Sequence, residues 1–362
     1  MRDFFQVPEN YFLSHSVGCL PKNTQQALEG NYLGPWASGE NWSEWMSVLD
    51  KFRAGMANIL GMPAAQICPQ SNISSALTKI LYSLPDPIKR NKIVFSKQDF
   101  PTVGFVFKQA ERAGYELRFV EGDPTDVKNW DAAIDDTTAI VHITHALSNT
   151  SQLLPVQQIC DMARAKGGVS IVDVAQSLGA VPVDIVHWKP DFVTGTGVKF
   201  LCFGPGACFL YCSQEQLRKA APIDVGWFSH ENPFEMDIEQ FRYAKDAMRF
   251  FGGTPSPAPL IAANAAMEIW QEISFELAHK RIKSSHDYIV GNLSEEVLVS
   301  PKELDYRGAT LVVAPKERQA LRDKLEAKAI LCDEREEGFR FSLHGYTSDE
   351  EVERLSVLLR DE

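Results

Sequence analysis

An α/β fold is predicted for this chain: a mostly parallel sheet covered by helices on both faces, with a smaller α+β domain at the C-terminal end. Three observations predict it. Between Lys92 and Cys212 short apolar runs alternate with helix-like segments; those runs are nearly continuous in apolar character; and the pattern changes after a proline cluster, GGTPSPAP (252–259). Strands buried on both faces read as unbroken apolar runs, and parallel strands need a crossover, usually a helix, between them.

The elements follow in order. KIVFS (92–96) reads as a buried strand and FKQAERAG (107–114) as a helix ending at a glycine. YELRFV (115–120) is a second strand, with a helical stretch around Trp130 after it, and AIVHIT (139–144) is a third. PVQQICDMARAKGG (155–168) has the spacing of an amphipathic helix, with proline in its first turn and glycines past its end. VSIVDV (169–174), DFVTGT (191–196) and ACFLYC (207–212) complete the series. Beyond the prolines come helical patterns at 258–273 and 275–293, a strand TLVVA (310–314), a helix near 315–328, a strand FRFSL (339–343) and a closing helix, TSDEEVERLSVLLR. The division read from this is 1–20 as an N-terminal segment packing with the small domain, 21–254 as the large domain and 255–362 as the small one.

Composition narrows the function. The chain has 362 residues, 44% hydrophobic and 23% charged, with 48 acidic against 36 basic side chains and a formal charge of −12. Such a surface repels nucleic acid and anionic membranes, and no basic stripe relieves it. The seven cysteines, Cys19, Cys68, Cys160, Cys202, Cys208, Cys212 and Cys332, are scattered and form no C-x-x-C pair. Reduced thiols fit this better than disulfides or zinc, and the histidines have no metal-like spacing. No run is apolar for long enough to span a membrane, and MRDFFQVPENYFLSHS lacks the order of a signal peptide. The expected compartment is the cytoplasm.

The segment richest in chemistry is 169–211. Asp173 ends one predicted strand and Lys199, between TGTG and FLCFGPGA, follows another. Ligands of open α/β sheets sit at the carboxyl ends of the strands, so both side chains should reach one crevice. An amine and a carboxylate so paired suit pyridoxal phosphate: the amine attaches the cofactor and the carboxylate keeps the ring nitrogen protonated.

This segment resembles the class V aminotransferase family of pyridoxal-phosphate enzymes, which includes cysteine desulfurases and kynureninases. YFLSHSVGCLPK (11–22), VGWFSHENPFEMD (225–237), PLIAANAAMEIW (259–270) and ILCDEREEGFRFSLHGYTSDEEVERL (330–355) extend the resemblance, to kynureninases in particular, over most of the chain. It implies a fold type I large domain, a homodimer with shared active sites, and an amino-acid substrate handled by a transferase or lyase. It also implies residue roles. Lys199 would attach the cofactor and shuttle the proton, Asp173 would pair with the ring nitrogen, and Gln176 would bond the ring oxygen. Phe100 would stack on the ring. Ile73, Ser74 and Thr196 would hold the phosphate, with Thr254 reaching it from the neighbouring subunit. Arg340 would bind the substrate carboxylate, and Asn149, Trp227 and Ser16 would lie near the substrate. Ser74 has a second reading as an ordinary helix N-cap.

The chain departs from that pattern at several positions. Val198 stands where kynureninases carry a tyrosine and desulfurases a histidine. Val103 replaces the aspartate that follows F-P-S in kynureninases, and the asparagine that recognises the aryl amino ketone falls near Thr254. The segment YLGPWASGENW (32–42) is shortened. Kynurenine-specific groups are therefore missing from a kynureninase-like scaffold. A desulfurase also needs a cysteine on a mobile loop. Here Cys332 lies just before Arg340, its approach AIL reads as a buried strand, and EREEG is a short turn, so a packed structural cysteine is expected.

Overall fold

The computed structural model describes residues 1–39, 42–85 and 90–360. Twelve strands appear among them: β1 (Phe5–Gln6), β2 (Leu20–Pro21), β3 (Ile67–Gln70), β4 (Lys92–Ser96), β5 (Glu116–Val120), β6 (Thr138–Thr144), β7 (Val169–Asp173), β8 (Phe192–Thr196), β9 (Cys208–Cys212), β10 (Thr310–Val313), β11 (Asp333–Glu334) and β12 (Phe339–Ser342). Seven of these form the large sheet, in the order β3-β9-β8-β7-β6-β4-β5. Neighbours from β8 through β5 are parallel, whereas β9 runs antiparallel to both β8 and β3.

Successive strand residues point to opposite faces, and each face has its own core. Val94, Val141, Val172 and Val193 pack on one side. Ile93, Phe95, Ile140, Ile171 and Phe192 pack on the other, with the helices Ile73–Leu81 and Pro101–Ala110. Asp173 shares the parity of Ile171, so its carboxylate emerges on the second face, at the carboxyl end of β7.

The sheet of β10, β12 and β11 is antiparallel and belongs to the C-terminal part. Its core joins Leu311, Phe341 and Leu355 to Phe12, and isolated bridges link Tyr11 to Leu331 and Leu13 to Ser342. The helix expected at 107–114 instead starts at Pro101, where proline suits the first turn, and ends in a tighter turn at Glu111–Ala113 before Gly114 in the left-handed region. The strand expected at AIL before Cys332 does not form: Ile330 is buried, Leu331 is exposed and makes only an isolated bridge to Tyr11, and the ladder with β12 begins at Asp333.

Candidate active site

Lys199 stands on the connection from β8 back to β9. A Cβ on Gly197 would lie 2.3 Å from the Phe203 side chain, so the glycine before Val198 is required by this tight loop. A second crossing locks it from outside. Gly18 N donates to Val198 O over 2.7 Å, and a Cβ on Gly18 would lie 2.1 Å from Lys199 O.

The loop delivers Lys199 into a cavity of about 320 Å³ whose walls include Asp173, Gln176, Thr196, Val198 and Phe100. A larger cleft of about 1140 Å³ lies at the opposite edge of the sheet, at the amino-terminal ends of β6 and β7 beside Ala139 and Val169. The smaller cavity is the candidate site, because it sits at the carboxyl ends of the parallel strands.

Electrostatics at the base of the cavity suit amine chemistry. Burial lowers the Lys199 ammonium to about 8; Asp173 opposes the shift, while Arg340 and Arg335 add to it. Burial raises the Asp173 carboxyl, and His142, the Ala175 N–H and Lys199 pull it back. Asp173 Oδ1 accepts from Ala175 N at 2.7 Å. The Lys199 ammonium nitrogen is 5.7 Å from the centre of the Phe100 ring, which precedes the helix Pro101–Ala110.

One wall is a helix start. Ser71, Asn72, Ile73 and Ser74 line the cavity, and the helix runs from Ile73 to Leu81. The N-cap is Asn72, not Ser74: Asn72 Oδ1 accepts from Ser75 N at 2.8 Å and from the Ser74 hydroxyl at 2.7 Å. That corrects the second reading of Ser74. The first amide N–H groups of a helix have no acceptor within it, so Ile73 and Ser74 can offer theirs to an anion.

Arg340 is 1% exposed, and its Nε donates to Asp333 Oδ1 over 2.7 Å while Nη2 donates to Asp333 Oδ2. Its Nη1 donates to Ser148 O over 2.8 Å. One face of the guanidinium fork is thus filled by Asp333, which also meets His15 Nε2 at 3.0 Å, and two of the five N–H groups remain. Asn149 lies beside Ser148, which is itself a cavity wall.

Three sequence-derived candidates stand apart from this cavity within one chain. Trp227 Nε1 donates to Thr254 Oγ1 over 3.3 Å in an exposed group that includes Trp42 and Phe234. Ser16 is exposed, and only its neighbour His15 contributes, by accepting from Gln176 Nε2 at 3.2 Å. Sequence reasoning missed three others. Arg335 reaches Ser148 and Asn149, and Asp99 holds His142 beneath Asp173. The only signal for His142 was a polar residue inside an apolar strand.

The residues present fit a planar, phosphate-bearing aldehyde such as pyridoxal phosphate. Gln176 Oε1 and Thr144 Oγ1 are buried on the cavity wall without a partner, which is costly unless a ligand satisfies them. The helix start answers an anion, and the buried amine answers an aldehyde. Among the described residues no three His, Cys, Asp or Glu side chains gather as a metal site would need.

Comparison with known proteins bears on the family and the fold. A model of the family described as aminotransferase class-V matches residues 26–355. An uncharacterised aminotransferase of Bacillus subtilis is 24% identical over 341 residues, 94% of this chain and 90% of its own. A kynureninase of Deinococcus radiodurans is 28% identical over 300 residues, 79% of this chain and 72% of its own. The apo structure of a cysteine desulfurase from Thermococcus onnurineus superposes with a TM-score of 0.85 at 22% identity, covering 97% of this chain and 94% of that one.

Proposed function

The chain belongs to the class V aminotransferase family, whose enzymes use pyridoxal phosphate, and on that premise we propose that it is an enzyme holding this cofactor at Lys199 and acting on a small α-amino acid, by transamination or by a side-chain lyase step. The observation that carries the proposal is the meeting of Lys199, Asp173 and the helix start at Ile73 in one cavity.

Pyridoxal phosphate, when bound, supplies an electron sink for negative charge developing at the substrate's α-carbon. The chain's residues do the rest. Asp173 keeps a proton on the ring nitrogen, and Gln176 bonds the ring oxygen. Phe100 covers one ring face. The N–H groups of Ile73 and Ser74, with Thr196, hold the phosphate. Lys199 would attach the cofactor, and its amine would hold and move the proton at the substrate's α-carbon; an amine lowered to about 8 suits that work better than an ordinary lysine. Arg340 receives the α-carboxylate on its remaining N–H groups, pre-oriented by Asp333, with Asn149 beside it.

Kynurenine hydrolysis is less well supported. Val103 and Val198 both line the cavity, so hydrocarbon stands where the kynureninase pattern has polar groups. A non-catalytic binding role is the remaining alternative. Borohydride reduction of the pyridoxal-phosphate-loaded protein, followed by peptide mapping, tests the proposal. The cofactor should be fixed on Lys199, and Lys199→Ala should abolish it; a panel of amino acids assayed for keto acid, pyruvate or alanine then separates the outcomes. A protein that takes up no cofactor would favour the non-catalytic alternative.

The same reading makes the protein a homodimer with shared sites. Thr254 and Trp227 lie outside their own chain's cavity, and Trp36, Trp42, Phe234 and Phe241 are exposed apolar side chains in the segments around them. A two-fold pairing would use each such contact twice. Sedimentation of a fully active monomer would refute it.

A further inference from the structure

A second cavity, of about 260 Å³, lies where residues 153–182 meet the C-terminal part of the chain. His279, Lys283 and His286 line it from the helix Phe275–Val290, and their spacing places them on one stripe. Arg307 lines it from the loop before β10. A lysine, an arginine and two histidines whose charged forms burial disfavours therefore meet around one hollow in a chain whose net charge is −12. Asp305 is the acidic side chain among its walls; it is almost fully exposed and 4.0 Å from Lys283.

Arg307 is the anomaly. It is 2% exposed. Its Nη1 donates to Pro301 O and Lys302 O at 2.6 and 3.1 Å, and its Nε donates to His286 Nδ1 at 3.3 Å. Its Nη2 is buried with no acceptor. Asp287 and Glu303 attract the guanidinium only at longer range, and burial lowers its pKa to about 10. A buried cation without a carboxylate partner is costly, and a bound anion would remove that cost. His286, accepting at Nδ1 from the guanidinium, carries its proton on Nε2, across the ring, where it is a buried donor without a partner.

We infer that this cavity is a binding site for a small oxyanion, a phosphate or a carboxylate, held by Arg307, Lys283 and His286. The site is distinct from the Lys199 cavity, with which it shares no wall residue. It is nevertheless joined to that cavity through one segment. Gly308 N donates to Ser151 O over 2.7 Å and Leu153 N to Tyr306 O over 2.9 Å, while Ser148 O accepts from Arg340.

The test is calorimetric titration of the cofactor-loaded protein at low ionic strength, with inorganic phosphate in one arm and succinate in the other. Loading fills the phosphate-holding helix start of the Lys199 site but leaves the N–H groups of Arg340 open to a carboxylate, so heat is assigned to the second cavity only where it changes in the Lys283 and Arg307 variants. Saturable one-site binding is expected, weakened about tenfold or more by Lys283→Glu and lost in Arg307→Met. The tighter arm identifies the anion class. Arg307 also braces a turn, so if Arg307→Met does not fold, Lys283→Glu, which alters a half-exposed side chain, decides. No saturable heat in either arm, or equal affinity in Lys283→Glu, overturns the inference.

Discussion

Arg335 Nη1 donates to Asn149 Oδ1 over 2.6 Å while its guanidinium carbon lies 5.9 Å from the centre of the Phe100 ring, so a second arginine joins Arg340 at the Lys199 cavity. The two differ in charge balance. Arg340 is paired with Asp333, whereas Arg335 has no carboxylate within ion-pair distance among the described residues. Glu337 is turned instead to Asn149 Nδ2, at 2.7 Å.

Arg335→Met should therefore raise KM for amino-acid substrates by roughly tenfold with a smaller change in kcat, in line with ~1.5–3 kcal/mol for a charged hydrogen bond. Arg340→Met should raise KM too, and should also lower Tm by stranding half-buried Asp333. Steady-state kinetics and thermal melts on both variants check this pair; an unchanged KM in Arg335→Met removes that residue from the site.

Asp99 Oδ2 lies 3.1 Å from His142 Nδ1, and both side chains are nearly inaccessible to solvent. Thr144 pairs with Asp173 across the parallel strands β6 and β7, so His142, two residues earlier on β6, shares the face of Asp173. When protonated, it favours the ionised carboxylate. His142→Gln keeps a donor for Asp99 without the charge, so the Asp173 pKa should rise. Pyridoxal-phosphate affinity should fall by about tenfold, equivalent to one pKa unit, and more at acidic than alkaline pH. A pH series of cofactor dissociation constants measures it, and parallel wild-type and variant curves would contradict it.

Gly18→Ala should destabilise the protein by ~1–3 kcal/mol, because the new methyl meets the Lys199 carbonyl, a backbone atom that cannot move without moving the loop. Denaturant unfolding gives the size, and weakened cofactor uptake should accompany it. A variant of wild-type stability would show that the crossing is looser than its 2.7 Å hydrogen bond implies.

Legibility in the sequence followed chain distance and periodicity. Strands β4 to β8 were visible because burial on both faces leaves unbroken apolar runs, and Asp173 and Lys199 stood out at the ends of two of them. The antiparallel direction of β9 was missed, although the helix-free connection from Gly197 to Ala207 is too short for a parallel crossover. Strand β3 was hidden because ICPQ contains proline and glutamine, tolerable there only because β3 is an edge strand. Arg335 looked like part of a polar turn, and nothing local to Gly18 or Asp99 announces partners 180 and 43 positions away.

The Lys199 amine should react with cofactor along a pH profile whose midpoint lies near 8 instead of the ordinary 10.5, since burial disfavours its charged form. Asp173→Asn should move the midpoint lower, because the largest attraction opposing burial is lost. Stopped-flow attachment rates on the apoprotein provide the profile. The same shift carries a stability sign. Between about 8 and 10.5 the unfolded chain holds a proton the folded amine has released, so apoprotein stability should rise with pH there from this group.

The final prediction is that the protein does not form a persulfide from cysteine, although its fold matches that of a cysteine desulfurase. That reaction needs a thiolate on a segment able to swing to the substrate sulfur. Cys332 is partly buried, and its thiol is raised to about 12 by burial and by the charges of Asp333 and Glu334. At neutral pH it is almost wholly protonated. Its neighbours are also fixed: Leu331 N donates to Asn10 O and Phe12 N to Leu331 O, both over 2.9 Å. Directly after it, Asp333 is held by His15 and Arg340, and Arg335 and Gly338 exchange backbone hydrogen bonds across the turn. No loop of useful length separates the thiol from Arg340. Incubation with cysteine and a trapping thiol should give no sulfide with alanine, and Cys332→Ala should leave any cysteine turnover unchanged. Sulfide with pyruvate would instead identify a lyase, whereas repeated turnover to alanine that disappears in Cys332→Ala would overturn the prediction.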